Sequence, residues 1–318
     1  MTSKNNLRAH GILWGTSMIG ALNYTISKIA MPEYISPAAI LVVRGFSTII
    51  FFGAISFFIL KDRVNLRDMR IFFLCAFFGV VGNQIMFYEG LNLTSAINAS
   101  LMITGVPVIV FVTSIFTRNE KFSFHKLLGI GIGLAGTVLL IIHSSQQSMK
   151  AMYIGDILVL LNSFSWALFL ATVRPLLKTY RVVTIVAYMF SIGFIIILPY
   201  GYNDFLSVNW EKFTVKAWLS LLFIVVFATW CAYYMNIVVL KYVSASIAGS
   251  YTYLQPLLAT CIALFWGTEM ITTEKILYSA LILTGVYIVS IPSEKVRKTF
   301  FKNKKKRDKI SVNAEFRQ

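Results

Sequence analysis

Charged side chains are scarce in this sequence. Only 13% of its 318 residues are Asp, Glu, Lys or Arg, whereas 57% are hydrophobic, and the mean hydropathy is +0.73. A water-soluble globule cannot place so much apolar surface in its interior. The composition therefore excludes a soluble enzyme or binding domain and predicts an all-α membrane protein that crosses the bilayer several times.

Cysteine and histidine are also rare, with three residues of each. The cysteines fall in separate apolar runs, and the histidines fall at predicted helix ends without a Cys, Asp, Glu or second His at ligand spacing. They are Cys75, Cys231, Cys261, His10, His125 and His143. The sequence contains no Gly-x-Ser-x-Gly motif, and no Ser has a His or an acid on its helical face. We therefore expect no metal, no cofactor and no hydrolase or acyltransferase activity.

Acidic residues are few, since 13 Asp and Glu stand against 29 Lys and Arg and the net charge is +16. Ten of the basic residues follow Ser293. A basic tail beside a last membrane helix is typical of a cytoplasmic segment resting on anionic lipid and does not indicate nucleic-acid binding. If the N-terminus is cytoplasmic, the loops on the opposite side contain only Lys150, Lys212, Lys216 and Lys275. This bias predicts that both termini are cytoplasmic.

Long apolar runs are abundant, and ten of them have about the 20 residues that a membrane-spanning helix needs. The first run follows Lys4 and Arg8 without a small-residue cleavage site, so we interpret it as an uncleaved helix. The predicted spans are Ala9 to Ala30, Ala38 to Leu60, Met69 to Leu91, Thr94 to Thr117, His125 to His143, Met152 to Val173, Val182 to Tyr202, Val215 to Leu240, Ser244 to Trp266 and Glu274 to Pro292.

A stretch of 52 residues occurs twice. Residues 91–142 align with residues 240–291 at an offset of 149 without a gap, and twelve positions are identical. Apolar composition alone would produce Leu, Ile and Ala matches, but it would not readily align a proline, a glutamate, a lysine and a glycine, so we infer a duplicated unit. These four matches are Pro107 with Pro256, Glu120 with Glu269, Lys126 with Lys275 and Gly136 with Gly285.

The duplication predicts the domain organisation. Five helices in each half is an odd number, so the two copies must face opposite ways across the membrane, as an inverted repeat. The first helices of the halves also match, at an offset of 146, between residues 20–28 and residues 166–174. The predicted units are 1–146 and 147–293, each with five helices, followed by a basic cytoplasmic tail at 294–318.

This arrangement resembles a known family. Ten apolar helices in two halves, the small-residue stretches TSAINAS and SASIAGS before Pro107 and Pro256, a Glu at the end of that helix and a glycine-rich fifth helix are similar to the EamA-like branch of the drug/metabolite transporter superfamily. One departure is that the first half has Ile19-Gly20 where the second has Ser165-Trp166. The resemblance implies a secondary transporter of small metabolites.

One glycine motif matches a different family only as a string of letters. Residues 131–136 read GIGLAG, which is the GxGxxG pattern of dinucleotide-binding proteins. That pattern requires a strand before it, whereas these glycines lie within an apolar helix. We predict instead that Gly129 and Gly133 form a small-residue face for close helix packing.

Amide and aromatic side chains are spread over predicted helices 1, 3, 4, 6, 8 and 9. Lipid offers an amide no hydrogen bond, so these groups should face other helices or a cavity. A single one of them indicates helix packing, but the set predicts a central polar and aromatic cavity. The set comprises Asn23, Asn83, Gln84, Asn98, Asn162, Asn236 and Gln255, with Trp166, Trp230, Tyr233, Tyr234, Tyr251 and Tyr253.

Pro107 and Pro256 lie inside predicted helices 4 and 9. Proline has no N–H, so the carbonyls of Ile103 and Thr252 should lose their helical donor and face protein or a hydrated cavity. Paired interruptions in two halves are typical of a transporter binding site, which we predict between helices 4 and 9. The alternative is that the prolines only shape the helices. The predicted substrate-binding residues are Asn23, Asn98, Met102, Trp166, Tyr251 and Gln255.

Glu89 is the acid placed furthest inside a predicted helix, near the outer surface. An ionisable group at membrane depth is costly unless it is paired or faces water, so we predict a gate or proton site with Lys28, Arg44 and Asp156. The alternatives are that Glu89 reaches into the headgroup region and that Arg44 is a structural pair or a substrate contact.

These observations favour a secondary transporter working by alternating access in a bacterial plasma membrane. The family resemblance implies export of a small metabolite such as an amino acid. Because only Lys28 and Arg44 could supply cationic groups to the cavity, we expect a neutral or zwitterionic substrate, with protons as the candidate coupling ion. One alternative is a nucleotide-sugar or sugar-phosphate exchanger, whose ligands require cationic groups in the cavity. A non-transporting scaffold or receptor is the alternative from another class, and it needs neither matched interruptions nor buried amides.

Overall fold

A computed structural model describes residues 3–60, 62, 64–94, 99, 102–117, 120–144, 153–265 and 272–291. All regular structure within these residues is helical. By length and composition, five of their helices can cross a membrane, namely Pro37–Leu60, Leu66–Leu93, Ile154–Lys178, Val182–Leu206 and Val215–Val239. Shorter apolar helices cover Val106–Phe116, Phe124–Leu139 and Ile276–Ser290. The structure is thus that of an all-helical membrane protein, and the number of ten spans stays a prediction.

The helices follow the predicted order, with differences at their ends. The first helix begins at Ser3, six residues before the predicted start, because polar residues can continue a helix beyond the apolar run. The predicted tail, 294–318, lies outside the described residues. The helices are α1 (Ser3–Ala30), α2 (Pro37–Leu60), α3 (Leu66–Leu93), α4 (Val106–Phe116), α5 (Phe124–Ser144), α6 (Tyr153–Thr172), α7 (Val182–Leu206), α8 (Val215–Val239), α9 (Ala245–Ser250, Tyr251–Tyr253 and Leu254–Phe265) and α10 (Thr273–Ser290).

Hydroxyl side chains cap the starts of three helices. The Ser36 hydroxyl accepts a hydrogen bond from the Ala39 amide at 3.2 Å, and Pro37 occupies the first turn of α2. Thr214 and Ser244 cap α8 and α9 in the same way. These caps satisfy amides that have no partner within their helix.

Helices α3 and α8 each contain a π-helical turn of six residues. The turns are Phe77–Gly82 and Val226–Cys231, so they begin 149 positions apart, which is the offset of the sequence repeat. A π-helical turn rotates the residues after it relative to a regular helix, and such turns are frequent at functional sites. Asn83 and Ala232 are the first residues after the two turns.

The prolines are placed differently from the prediction. Pro107 lies in the first turn of α4, after a turn at Thr104 and Gly105, rather than in the middle of one long helix. Pro256 lies in the first turn of the last segment of α9, after the 3-10 turn Tyr251–Tyr253. A first-turn amide has no partner within its helix, so proline is tolerated there without freeing a carbonyl inside a regular helix. The interruptions exist, but each precedes its proline, and the predicted position of the prolines in the middle of a long helix was wrong.

Helices α5 and α10 pack backbone to backbone along a seam of glycines. A Cβ added at Gly285 would lie 2.5 Å from the Gly133 nitrogen and 2.7 Å from the Gly129 oxygen. A Cβ added at Gly136 would lie 2.9 Å from both the Ile282 nitrogen and the Tyr278 oxygen. At the offset of 149, Gly129 corresponds to Tyr278, Gly133 to Ile282 and Gly285 to Gly136. The two sets of contacts are therefore equivalent under the sequence repeat. The close-packing role predicted for Gly129 and Gly133 is confirmed.

The remaining helices leave apolar side chains on the outside and frame the middle of the molecule. Large exposed residues such as Phe58, Ile195 and Leu219 face outward, as expected for a surface in lipid. Helix α1 contacts α8 and α9, helix α3 contacts α6, and helix α4 contacts both α6 and α9. These contacts surround a cavity.

A central polar cavity as the candidate site

The cavity at the centre of the helices has two adjoining lobes of about 150 and 130 Å³. Helices α1, α6, α8 and α9 line both lobes, and α2, α3 and α4 line the first. An apolar cavity of about 150 Å³ is known to hold a benzene molecule, so each lobe has the size of a ring or a small head group. The cavity therefore suits a small molecule. The polar and aromatic residues of the first lobe are Asn23, Tyr24, Arg44, Asn83, Gln84, Tyr88, Asn162, Trp166, Tyr233, Asn236, Thr252 and Gln255.

The π-helical turns place polar groups against one another on one wall. Gln84 Nε2 donates to the Tyr233 hydroxyl at 3.1 Å, and that hydroxyl donates to the carbonyl of Gly79, inside the turn of α3, at 2.7 Å. Asn162 Nδ2 donates to the Asn83 carbonyl at 2.7 Å. Gln84 and Tyr233 are 149 positions apart, so equivalent positions of the two halves meet at this wall.

Arg44 contributes a positive charge to the first lobe. Its side chain is buried, at 4% exposure, and Nε donates to Thr229 Oγ1 at 2.7 Å while Nη2 donates to the Ala228 carbonyl at 3.3 Å. The guanidinium carbon lies 4.7 Å from the centroid of the Tyr88 ring, within cation–π distance. Arg44 therefore joins α2 to the π-helical turn of α8.

The second lobe lies between α1 and α9. The Tyr251 hydroxyl is 2.6 Å from His10 Nδ1, and the Ser17 hydroxyl donates to the Tyr251 carbonyl at 2.8 Å. The Tyr24 hydroxyl donates to Gln255 Oε1 at 3.0 Å. Because α1 begins at Ser3, His10 lies well inside it, and its predicted position at a helix end was wrong.

The structure brings together most of the predicted substrate-binding residues. Asn23, Trp166 and Gln255 line both lobes, and Tyr251 lines the second. Met102 lines neither lobe, and its carbonyl accepts a hydrogen bond from Ser163 at 3.3 Å. Asn98 lies outside the described residues. Ile103 and Val106 of predicted helix 4 and Gln255 of α9 line the first lobe, so both predicted helices border the cavity, together with α1, α3, α6 and α8.

The residues predicted to form a gate are separated in this conformation. Tyr200 donates to Glu89 at 2.7 Å, Lys28 donates to the Asn92 carbonyl at 3.3 Å, and Thr94 donates to Asp156 at 2.6 Å. Among the residues that the structure describes, neither Lys28 nor Arg44 forms an ion pair with Glu89. The separation arises because the Arg44 side chain reaches α8 and the Glu89 side chain reaches α7.

Two cavity residues, Tyr24 and Tyr88, were not identified from the sequence. Tyr88 follows Gln84 by four positions and so shares its helical face, a signal that was available. Conversely, three of the aromatic residues in the predicted set lie elsewhere. Trp230 stacks on Phe51, Tyr234 is 40% exposed, and the Tyr253 hydroxyl donates to the Ile130 carbonyl.

A buried ion pair lies outside the cavity, between the α4–α5 connection and the start of α9. Lys126 pairs with Glu120 and also donates to Ser244 Oγ at 3.1 Å, while the Ser246 amide donates to Glu120 at 3.0 Å. Burial alone would raise the pKa of the Glu120 carboxyl, but Lys126 and the Ser246 hydrogen bonds together lower that pKa below its ordinary value. Glu120 is therefore held as a carboxylate that stabilises the start of α9.

A comparison with known proteins gives the family. The model of the EamA-like transporter family matches residues 9–142 and again residues 153–291. The uncharacterized transporter YdfC of Bacillus subtilis (strain 168) is 26% identical over 272 residues, which cover 85% of each chain. An uncharacterized transporter of Archaeoglobus fulgidus is 25% identical over 276 residues, covering 87% of this chain and 94% of that protein.

More distant similarities agree with this assignment. The protein WALLS ARE THIN 1 of Arabidopsis thaliana is 24% identical over 320 residues, covering 87% of this chain and 79% of the plant protein. One crystal structure shares the fold with a TM-score of 0.70 at 16% identity, covering 93% of this chain and 99% of that one. The chain therefore belongs to the EamA-like transporter family, within the drug/metabolite transporter superfamily.

Proposed function

We propose that this membrane transporter is a secondary active exporter of a small neutral or zwitterionic metabolite, such as an amino acid, and works by alternating access. The observation that carries this proposal is the central cavity, where amides and aromatic rings from both halves surround a volume of small-molecule size. Such polar groups at membrane depth are stable only against protein or water. In a transporter, a cavity of this kind can bind the solute while it crosses the membrane.

Two features support an inverted repeat as the basis of alternating access. The π-helical turns of α3 and α8 begin 149 positions apart, and the glycine contacts of α5 and α10 are reciprocal at the same offset. In inverted-repeat transporters, one half adopts in turn the conformation of the other around a central site. We propose both termini in the cytoplasm of a bacterial cell and the chain in its plasma membrane.

The charge of the cavity distinguishes the proposed substrates from nucleotide sugars or sugar phosphates. Arg44 is the single Lys or Arg among the described residues that line the two lobes. Sugar phosphates and nucleotide sugars carry one or more phosphate groups, which are usually held by several cationic side chains. The lining therefore favours a substrate with little net charge.

Transport and the site can be tested with the purified chain in proteoliposomes. We expect counterflow of at least one labelled amino acid in a panel, and Tyr251→Ala and Gln255→Ala should each weaken it about tenfold, since each loses contacts worth more than about 1.4 kcal/mol. Asn98→Ala tests the predicted residue that the structure does not describe. Tyr234→Ala is the control, because Tyr234 is exposed and lines neither lobe. Wild-type flux of the two cavity variants would place the substrate elsewhere.

We also propose that Glu89 couples transport to protons. In this conformation it accepts a hydrogen bond from Tyr200, and a pairing with Lys28 or Arg44 would belong to another state of the cycle. Glu89→Gln keeps the shape and removes the charge, so proton-driven flux should lose its pH dependence while counterflow persists. If the pH dependence of flux is unchanged, Glu89 is only an acid near the surface.

A further inference from the structure

We propose that the first lobe of the cavity contains a carboxylate-binding site centred on Arg44, and hence that the transported molecule carries a carboxylate. The binding site is argued from the geometry alone, whereas the transport of its ligand rests on the proposed function. A neutral metabolite without an acid group is then excluded, and a zwitterion or a small organic acid is selected.

The first observation is a buried cation without an acidic partner. Arg44 is 4% exposed, and it donates hydrogen bonds to the Thr229 hydroxyl and the Ala228 carbonyl. Within the described part of the chain, the ion pair of Lys126 with Glu120 is the single one, so no carboxylate lies within 4.0 Å of the Arg44 guanidinium. A guanidinium is always charged and has five N–H donors, so donors remain for a further group.

The second observation is that the neighbouring lining lacks acids but offers unsatisfied polar atoms. No Asp or Glu occurs among the described residues that line the first lobe. Gln84 and Tyr88 line it with Arg44, and Gln84 Oε1 and the Tyr88 hydroxyl are buried without a hydrogen-bond partner. Buried polar atoms are normally satisfied, and these two are 2% and 0% exposed by residue. They therefore indicate where a ligand's polar groups belong.

The chemistry of these groups selects the ligand. A guanidinium binds a carboxylate through two parallel charge-assisted hydrogen bonds, and a bound carboxylate would neutralise the uncompensated charge at membrane depth. The Tyr88 hydroxyl can donate to the same carboxylate, and Gln84 Oε1 can accept from an ammonium or amide of the ligand. Trp166 and Tyr233 leave aromatic surface for the apolar end of the molecule.

The test compares each acid with its own amide, so that size and apolar surface are constant. The probes are benzoate, phenylacetate, 3-phenylpropanoate, phenylalanine and leucine, each against its carboxamide, and binding is measured on the full chain in detergent by ligand-dependent thermal stabilisation. We expect the wild type to bind at least one acid about 10 to 100 times more tightly than its amide, the range for a hydrogen-bonded charge. If every acid and its amide bind equally, or if no acid binds, there is no carboxylate site.

Arg44 variants then locate the site. Arg44→Gln should abolish the preference for the acid, and Arg44→Lys should retain part of it, because an ammonium keeps the charge but loses the planar pair of donors. Arg70→Gln, at an exposed position of α3, is the control. An unchanged acid-to-amide ratio in a folded Arg44→Gln protein would show that Arg44 only joins α2 to α8. If Arg44→Gln does not fold, the same comparison is made with Arg44→Lys.

Flux in proteoliposomes separates this inference from the proposed function. Acid binding that depends on Arg44 without flux of any labelled acid would contradict transport and leave the site intact. Equal flux of acids and amides would support transport and overturn the carboxylate site.

Discussion

Glu120 is a buried charged residue that forms a hydrogen bond with the start of a helix. Its side chain is 6% exposed, and its partners come from the first turn of α5 and the start of α9. Removing one partner of a buried ion pair is strongly destabilising because the other charge is left uncompensated. The pair is also identical in both copies of the sequence repeat, as Glu269 and Lys275, whose side chains lie outside the described residues.

We predict that Glu120→Gln lowers the free energy of unfolding by about 3–5 kcal/mol at pH 7, measured in mixed detergent micelles. The pKa of Glu120 is lowered in the folded protein, so its stabilisation is complete above the ordinary value of 4.5 and is lost as the pH falls through the folded pKa. The wild type should therefore lose this contribution below pH 4.5, and the variant should lack that part of the pH dependence.

The matched control is Glu33→Gln, since Glu33 is exposed between α1 and α2. The double variant Glu120→Gln with Lys126→Met should recover part of the lost stability by removing the unpaired ammonium. A Glu120→Gln protein as stable as the wild type at pH 7 would show that the pair contributes nothing to the fold.

At the scale of single residues, the sequence predicted which amides line the cavity better than it predicted which side chains contact each other. The amides of the cavity could be identified because an amide inside an apolar run has few other places to go. The partner of Arg44 could not be identified, because Thr229 is 185 positions away and is reached through a π-helical turn that no propensity predicts. The contact of Glu89 with Tyr200, 111 positions away, could not be identified for the same reason.

At the scale of helices, the contact of α5 with α10 restricts residue size. The positions facing the partner have no space for a methyl group, whereas a Cβ added at Gly131, on the same helix, meets nothing within 4 Å. Gly129 and Gly131, two positions apart on α5, therefore differ in the side-chain size they tolerate.

We predict that Gly285→Ala and Gly129→Ala each destabilise the protein by about 1–3 kcal/mol through overpacking against backbone atoms, while Gly131→Ala is neutral or slightly stabilising. Melting temperatures of the three variants in one detergent measure the difference. Similar melting temperatures for all three would show that the helices separate easily at this seam.

Helix order and approximate position could be predicted from the apolar runs, because length and hydropathy decide where a helix crosses lipid. The interruptions within helices could not be predicted from the apolar runs. Helix 4 was predicted as one run from Thr94 to Thr117, but a turn at Thr104 and Gly105 separates the helical residues Met102 and Ile103 from the helix that begins at Val106. The proline was noticed, yet its effect depends on whether it lies within a helix or in its first turn, which local sequence does not decide.

For the molecule as a whole, the distribution of basic residues predicts the orientation in the membrane. The Lys and Arg count predicts that both termini are cytoplasmic and that the connection around Gln146 lies outside. Single cysteines at Gln146 and at Gln318, in a background without the three natural cysteines, should react with a membrane-impermeant reagent from opposite sides. Labelling of both cysteines from the same side of the membrane would contradict the inverted-repeat model.

The glycine seam also constrains how the two halves can move. Sliding α5 along α10 would push the Gly133 backbone into the residues beside Gly285, because no flexible side chain separates the two helices there. Turning one helix about the point of contact changes these distances least, since the displacement grows with distance from that point. We expect the seam to act as a pivot, so that a rotation of a few degrees there becomes a displacement of ångströms at the far ends of the helices.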